Sequence, residues 1–129
     1  MATSTSQKKE KVLKKLVKKL EKEGYDELKT RFAGYKTPID LNYNGSMKKF
    51  TPDLVAVKDE VSDVYEIEHK MKEREIQDQV AKWILFSSYS KQNRGKFKLL
   101  VPKDRAEKFQ NLIDRMMIDA ELVKLENIA

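Results

Sequence analysis

Residues 51–70 read TPDLVAVKDEVSDVYEIEHK. Two short runs rich in β-branched and aromatic residues flank a polar turn, and charged residues stand at the ends far from that turn. The pattern predicts two strands, over 54–57 and about 64–70, joined as a hairpin by KDEVSD. Side chains alternate along a strand, so Asp53, Val55 and Val57 share one face and Leu54 and Ala56 the other. On the second strand Val64, Glu66, Glu68 and Lys70 lie opposite Tyr65, Ile67 and His69. A turn centred on Glu60 and Val61 pairs 57 with 64, 55 with 66 and 53 with 68. Asp53 and Glu68 are then neighbours with β-carbons about 4.5–5.5 Å apart, and Lys70 follows along the same edge. Carboxylates that close repel, and a divalent cation between them relieves the repulsion; hard oxygen donors suit magnesium. Such an ion would polarise a phosphodiester and acidify a water that Lys70 orients or deprotonates. A register slip of one residue would turn the two acids to opposite faces. The plainer alternative is a solvent-facing strand with an ordinary Lys–Glu pair. Against it, both faces of the hairpin carry apolar residues, and charge at the margin of a buried sheet is costly unless paired or used.

Outward from the hairpin, Val12, Leu13, Leu16, Val17 and Leu20 recur at helical spacing, with Gly24 as a stop. Eight lysines lie between Lys8 and Lys22, which reads first as a solvated face and second as a set of phosphate contacts, with a membrane-surface helix a third reading. Residues 28–35 look like a strand, and Asn44-Gly45 is a hairpin signal. Ile76, Val80, Trp83, Ile84 and Ser87 mark a helix over about 73–88, ending before the loop YSKQNRG. KFKLLVP from Lys96 reads as a strand, Asp104 as the cap of a helix carrying Phe109, Leu112, Ile113 and Met116, and ELVKLENI as a last short strand. The order αβββαβ, with a further helix and strand, predicts an α/β sandwich with its sheet flanked by helices.

A chain of 129 residues fits a single domain over 1–129, with 1–7 as a polar tail. It has no cysteine and one histidine, which excludes disulfides, thiolate metal sites and histidine-rich zinc sites. A metal must therefore be held mainly by oxygen ligands, which favours magnesium, manganese or calcium. The formal charge of +6 favours nucleic acid or another anionic surface. No apolar run reaches the roughly 18 residues of a membrane span, and the start lacks the apolar stretch of a secretory signal, so a cytoplasmic location without membrane is expected.

Phe50-Thr51-Pro52-Asp53-Leu54-Val55-Ala56-Val57 followed by Tyr65-Glu66-Ile67-Glu68-His69-Lys70 resembles the PD-(D/E)XK nuclease superfamily, in which a Pro-Asp and a Glu-x-Lys lie on adjacent strands of a hairpin. The αβββαβ order is similar to its restriction-endonuclease-like core, with a mixed central sheet, so the likeness covers most of the chain. Within the superfamily, the small size and the helix ending in Glu23-Gly24-Tyr25-Asp26 look most like archaeal Holliday junction resolvases. The resemblance implies a Mg2+- or Mn2+-dependent nuclease, acting on DNA and leaving a 5′-phosphate and a 3′-hydroxyl. It implies Asp53 and Glu68 as metal ligands, Lys70 as the catalytic lysine and the His69 carbonyl as a further ligand. It also suggests an acid from the first helix, for which Glu10 at the edge of the apolar stripe is the choice over Glu21 and Glu23. Gln79, with Gln77 behind it, matches a glutamine some members place near the scissile phosphate.

Several of these residues also have ordinary readings. Glu10 reads first as a solvated glutamate, Glu66 first as a structural salt bridge and second as a supporting acid, Gln79 and Gln77 first as structural, and Trp83 as core. The His69 side chain is expected to face away from the metal. Lys72, Arg74, Lys82, Lys91, Arg94, Lys96 and Lys98 would extend a basic surface that binds phosphates without choosing sequence. A homodimer would let so small a domain span a duplex. The alternative to an enzyme is a nuclease-like module, binding nucleic acid or protein without turnover.

Overall fold

The computed structural model describes residues 3–43 and 48–128, with side chains from Gln7 onward; the Asn44-Gly45 signal lies outside these residues. Helix α1 runs Thr3–Lys22, so the expected polar tail is helical from Thr3. Its stripe of Leu13, Leu16, Val17 and Leu20 is buried, and Gly24 ends it in the left-handed region at φ +82°, where a residue without Cβ carries no penalty. Strand β1 covers only Glu27–Thr30, half the predicted 28–35. Strands β2 (Leu54–Lys58) and β3 (Val61–Ile67) form the hairpin. A 3₁₀ turn at Glu73–Glu75 leads into α2 (Ile76–Gln92), followed by β4 (Phe97–Val101). Another 3₁₀ turn, Lys103–Arg105, precedes α3 (Ala106–Arg115), and β5 (Glu121–Lys124) closes the order. The loop expected at YSKQNRG is short because α2 continues to Gln92. Asp104 does not cap α3: it lies inside the 3₁₀ turn, and the residue before the helix is Arg105 without a capping side-chain bond.

The five strands pair in chain order. β1, β2 and β3 are antiparallel, and β3, β4 and β5 are parallel. Each parallel step needs a crossover, supplied by α2 and then by α3. Crossovers of one hand put both helices on one face of the sheet, while α1 covers the other. Two apolar cores result. Val55, Val64, Phe97, Leu99 and Val101 pack on Trp83, Phe86 and Phe109 of the crossover helices, and Leu54, Ala56, Tyr65, Ile67 and Leu100 pack on α1. With both faces covered, β4 is apolar at every position but Lys98 rather than alternating. Gly95 sets how closely the α2–β4 link passes β3, since a Cβ there would stand 1.8 Å from the Ser62 carbonyl oxygen.

The hairpin register differs from expectation. Lys58 pairs with Val61, Val55 with Val64 and Leu54 with Tyr65, so the turn is the two residues Asp59 and Glu60 rather than one centred on Glu60 and Val61. Both have positive φ, 52° and 67°. That geometry matches the right-handed twist of the flanking strands and normally selects Asn-Gly. The displacement is two residues, so face parity survives, but Asp53 now faces Glu66 in place of Glu68. Asp59 tolerates this conformation, but Glu60 does not, at a cost of about 1 kcal/mol. Glu60→Gly is therefore expected to raise the thermal midpoint by a few degrees, and Gly95→Ala to lower it; calorimetric melts of the two variants check both signs.

Candidate functional site

Beyond Leu54 the ladder gives way to side chains. Pro52 has no N–H to donate, and the chain bends at Asp53, whose carboxylate takes over the edge of β3: Oδ2 accepts the Ile67 N–H at 2.9 Å. The same oxygen meets Lys9 Nζ at 3.1 Å, and Oδ1 accepts Arg31 Nη1 and Nη2 at 3.0 and 2.9 Å. The Asp53 N–H in turn donates to Glu66 Oε1 at 3.1 Å, and Thr30 Oγ1 donates to the Asp53 carbonyl. Asp53 is thus buried and ringed by donors from α1, from the end of β1 and from β3.

Glu66 and Glu68 leave β3 on the side of α2, and both are buried. Between them stands Lys82, whose Nζ is 2.8 Å from Glu66 Oε2 and 2.8 Å from Glu68 Oε2. Trp83 Nε1, one residue on, donates to Glu68 Oε2 at 3.0 Å, so the core tryptophan also fixes a carboxylate. The electrostatics follow from burial. Desolvation, then the charges of Asp53 and Glu68, push the Glu66 carboxyl up to about 8 despite the opposing pull of Lys82 and Lys9. Burial pulls the Lys82 ammonium down, but the two glutamates outweigh it and hold it above its ordinary value. Lys82 is therefore a fixed positive charge at neutral pH.

The residues chosen from sequence are only partly brought together. Asp53 and Glu68 do not touch in register; the Asp53 N–H reaches Glu66, and Lys82 links Glu66 to Glu68. Lys70 follows the end of β3, where strand alternation no longer applies; its side chain is exposed and lines a different cleft, with Arg105 and Lys108. Glu10 is exposed on α1, and its neighbour Lys9 makes the contact with Asp53. Gln79 is buried but spends its amide on the loop: Oε1 accepts the Lys72 N–H at 2.9 Å and Nε2 donates to the Lys70 carbonyl at 3.3 Å. The His69 carbonyl accepts from Arg105. The His69 imidazole, with a buried Nδ1 that has no partner among the described residues, is held below its ordinary pKa by burial and by Lys8, Lys9 and Arg105.

Three residues of the network escaped the sequence reading, and two left a signal. Lys9 stands four before Leu13 on the apolar stripe of α1. Lys82 shares the inward face of α2 with Gln79, Trp83 and Phe86, and a lysine there is rarely buried unless it meets an acid. Arg31, just past β1, left none. From outside, Lys82 is reached through a shallow cleft of about 230 Å³ lined also by Lys48, Phe50, Lys72 and Gln79.

A group of three or more His, Asp or Glu side chains placed to hold a metal ion is absent among the described residues, since the chain's own cations stand between the acids. The donor chemistry nonetheless suits a hard divalent ion, since the carboxylates of Asp53, Glu66 and Glu68 are all oxygen donors. No protein-family model, curated protein or solved structure matches the chain. Among the described residues, no helix is long and apolar enough to cross a membrane.

Removing one partner of a buried ion pair costs more than the pair contributes, about 3–5 kcal/mol. Lys82→Met should lose stability on that scale and Lys70→Ala should stay within about 0.5 kcal/mol of the parent, as urea unfolding will show. Glu66 also carries a pH signature. Its folded pKa, near 8, exceeds the unfolded value of 4.5, so between those values the folded state binds the extra proton and stability falls as pH rises. Glu66→Gln is expected to flatten the unfolding free energy across pH 5 to 8 relative to the parent.

Proposed function

We propose that the chain is a divalent-metal-dependent nuclease of the PD-(D/E)XK type, with a restriction-endonuclease-like core and a preference for DNA. The reading rests above all on the gathering of three buried carboxylates, Asp53, Glu66 and Glu68, and one buried lysine, Lys82, at the end of a β-hairpin whose sequence resembles that superfamily. A folded domain gains little from burying such a set, because the desolvation of each charge offsets most of its attraction; a site that must stabilise phosphoryl charge has a use for it.

Asp53, Glu66 and Glu68 are the residues that would hold Mg2+ or Mn2+. A bound ion supplies a Lewis acid for the phosphoryl oxygen and a water of lowered pKa. The rest falls to the chain. Trp83 and the Ile67 N–H fix the directions of Glu68 and Asp53, and the acids would turn to an ion only as Lys9, Arg31 and Lys82, which pair with them here, give way. Lys82, with its raised pKa, serves as a positive charge and hydrogen-bond donor toward a phosphate entering the shallow cleft, rather than as a proton acceptor. Its four-carbon stem lets the ammonium move between the glutamates and a ligand. At the mouth Lys48 is paired with Asp78 and Lys72 lies beside Glu75, so Lys82 is the cation aimed inward, and Gln79 supports the site by bracing residues 70–72.

One observation favours the runner-up, a nuclease-like module without turnover: both oxygens of Asp53 already accept from Lys9, Arg31 and Ile67, a closed arrangement a purely structural network would also show. Cleavage separates the two. Purified protein incubated with circular, linear, branched and single-stranded nucleic acid should cut in Mg2+ or Mn2+ and not in EDTA. Asp53→Asn and Lys82→Met should each lose about 100-fold or more, while Lys70→Ala retains the chemical step. Cleavage that survives both losses, or binding without cleavage across the panel, rejects the nuclease reading.

A further inference from the structure

Lys70 remains unexplained by the network of Lys82. It lines a cleft of about 620 Å³ where the chain leaves β3 and meets the start of α3, together with Arg105 and Lys108. The volume lies within the range of about 300–1,000 Å³ usual for small-ligand sites. Met71 and Phe109 supply apolar lining, and Glu73 and Asp104 are the two carboxylates. Neither Lys70 nor Lys108 is drawn into an ion pair with a described residue, although acids line the same cleft. Arg105 spends one Nη1 donor on the His69 carbonyl, which aims the guanidinium and leaves most of its five N–H groups unspent.

Charge narrows the ligand. Three cations against two carboxylates leave a lining of one net positive charge. A phosphodiester carries a single negative charge, whereas a terminal phosphate carries nearly two at neutral pH. Position narrows it further. Lys70 is two residues from Glu68, at most about 7 Å along the chain, so a strand laid over the acidic site passes this cleft at once.

Resting on the nuclease reading for the identity of the polymer, we propose that this cleft anchors a phosphodiester flanking the cleavage point of a bound nucleic-acid strand. Lys70, Arg105 and Lys108 are its phosphate contacts, and Met71 and Phe109 back the sugar. Lys70 is on this account a binding residue, not a catalytic one.

The test is fluorescence anisotropy of the full chain with a labelled oligonucleotide in EDTA, so that binding is read without turnover. Lys70→Gln and Lys108→Gln, each checked for an unchanged melting curve, should weaken binding about 5- to 10-fold at about 0.1 M salt and lower the log–log salt slope by about one apiece. Lys124→Gln, on the far edge strand, should change neither more than slightly. A nucleoside 5′-monophosphate should not displace the oligonucleotide at matched concentration; displacement would assign the cleft to free nucleotide and overturn the proposal. Unchanged affinity and slope in both lysine variants would overturn it too. Cleavage in Mg2+ is scored separately: the variants should raise KM and keep kcat. A parent chain that binds through these lysines and never cuts sinks the nuclease reading alone, and one that cuts with both variants binding normally sinks the cleft alone.

Discussion

Two buried glutamates two residues apart at the end of a strand cannot both be left charged without a counter-ion, and Lys82 is what makes Glu66 and Glu68 compatible with the fold. Its ammonium, 2.8 Å from each carboxylate, ties the end of β3 to the middle of α2. Trp83 adds a second tie from the next position on the helix. The crossover helix is thereby fixed against the sheet by charge as well as by the apolar packing of Val80, Trp83 and Phe86. On the opposite side, Lys9 and Arg31 do the same for Asp53, linking α1 and the end of β1 to the hairpin. The acids are thus a junction at which every layer of the domain contributes a cation.

The hairpin turn governs where that junction forms. A two-residue turn at Asp59-Glu60 sets Val55 against Val64, and one ladder step past Leu54 and Tyr65 brings Asp53 to Glu66. A turn longer by two residues would keep every side chain on its face but carry Asp53 to Glu68, away from the N–H of Ile67. Positive φ at both turn residues is the strain accepted for the tighter connection.

Much of this was legible in the sequence, for physical reasons. Helical spacing of Leu13, Leu16 and Leu20, the apolar run of β4 and the valines of the hairpin all report burial, and burial is what decides these elements. Alternation along β2 and β3 brings the chain positions of Asp53 and Glu66 opposite one another once the turn is shortened by two residues, because parity tolerates that error. It was not enough to choose the partner of Asp53, since Asp59-Glu60 lacks the glycine that normally marks such a turn. Lys70 was misplaced because alternation was extended past Ile67, where the strand ends. By charge alone Lys82 reads as one of the surface lysines, although its spacing from Gln79, Trp83 and Phe86 puts it on the inward face of α2. Arg31 depends on the path of the chain after Thr30, which no local pattern encodes.

The central claim is that Lys82, rather than Lys70, is the cation of the acidic site. A double-mutant cycle between Glu68→Gln and Lys82→Met, read as unfolding free energies in urea, measures that pairing with the fewest assumptions. The account predicts a coupling of about 1–3 kcal/mol for this pair and none beyond error for the matching cycle of Glu68→Gln with Lys70→Met. Additive effects in the first cycle, or strong coupling in the second, would contradict it.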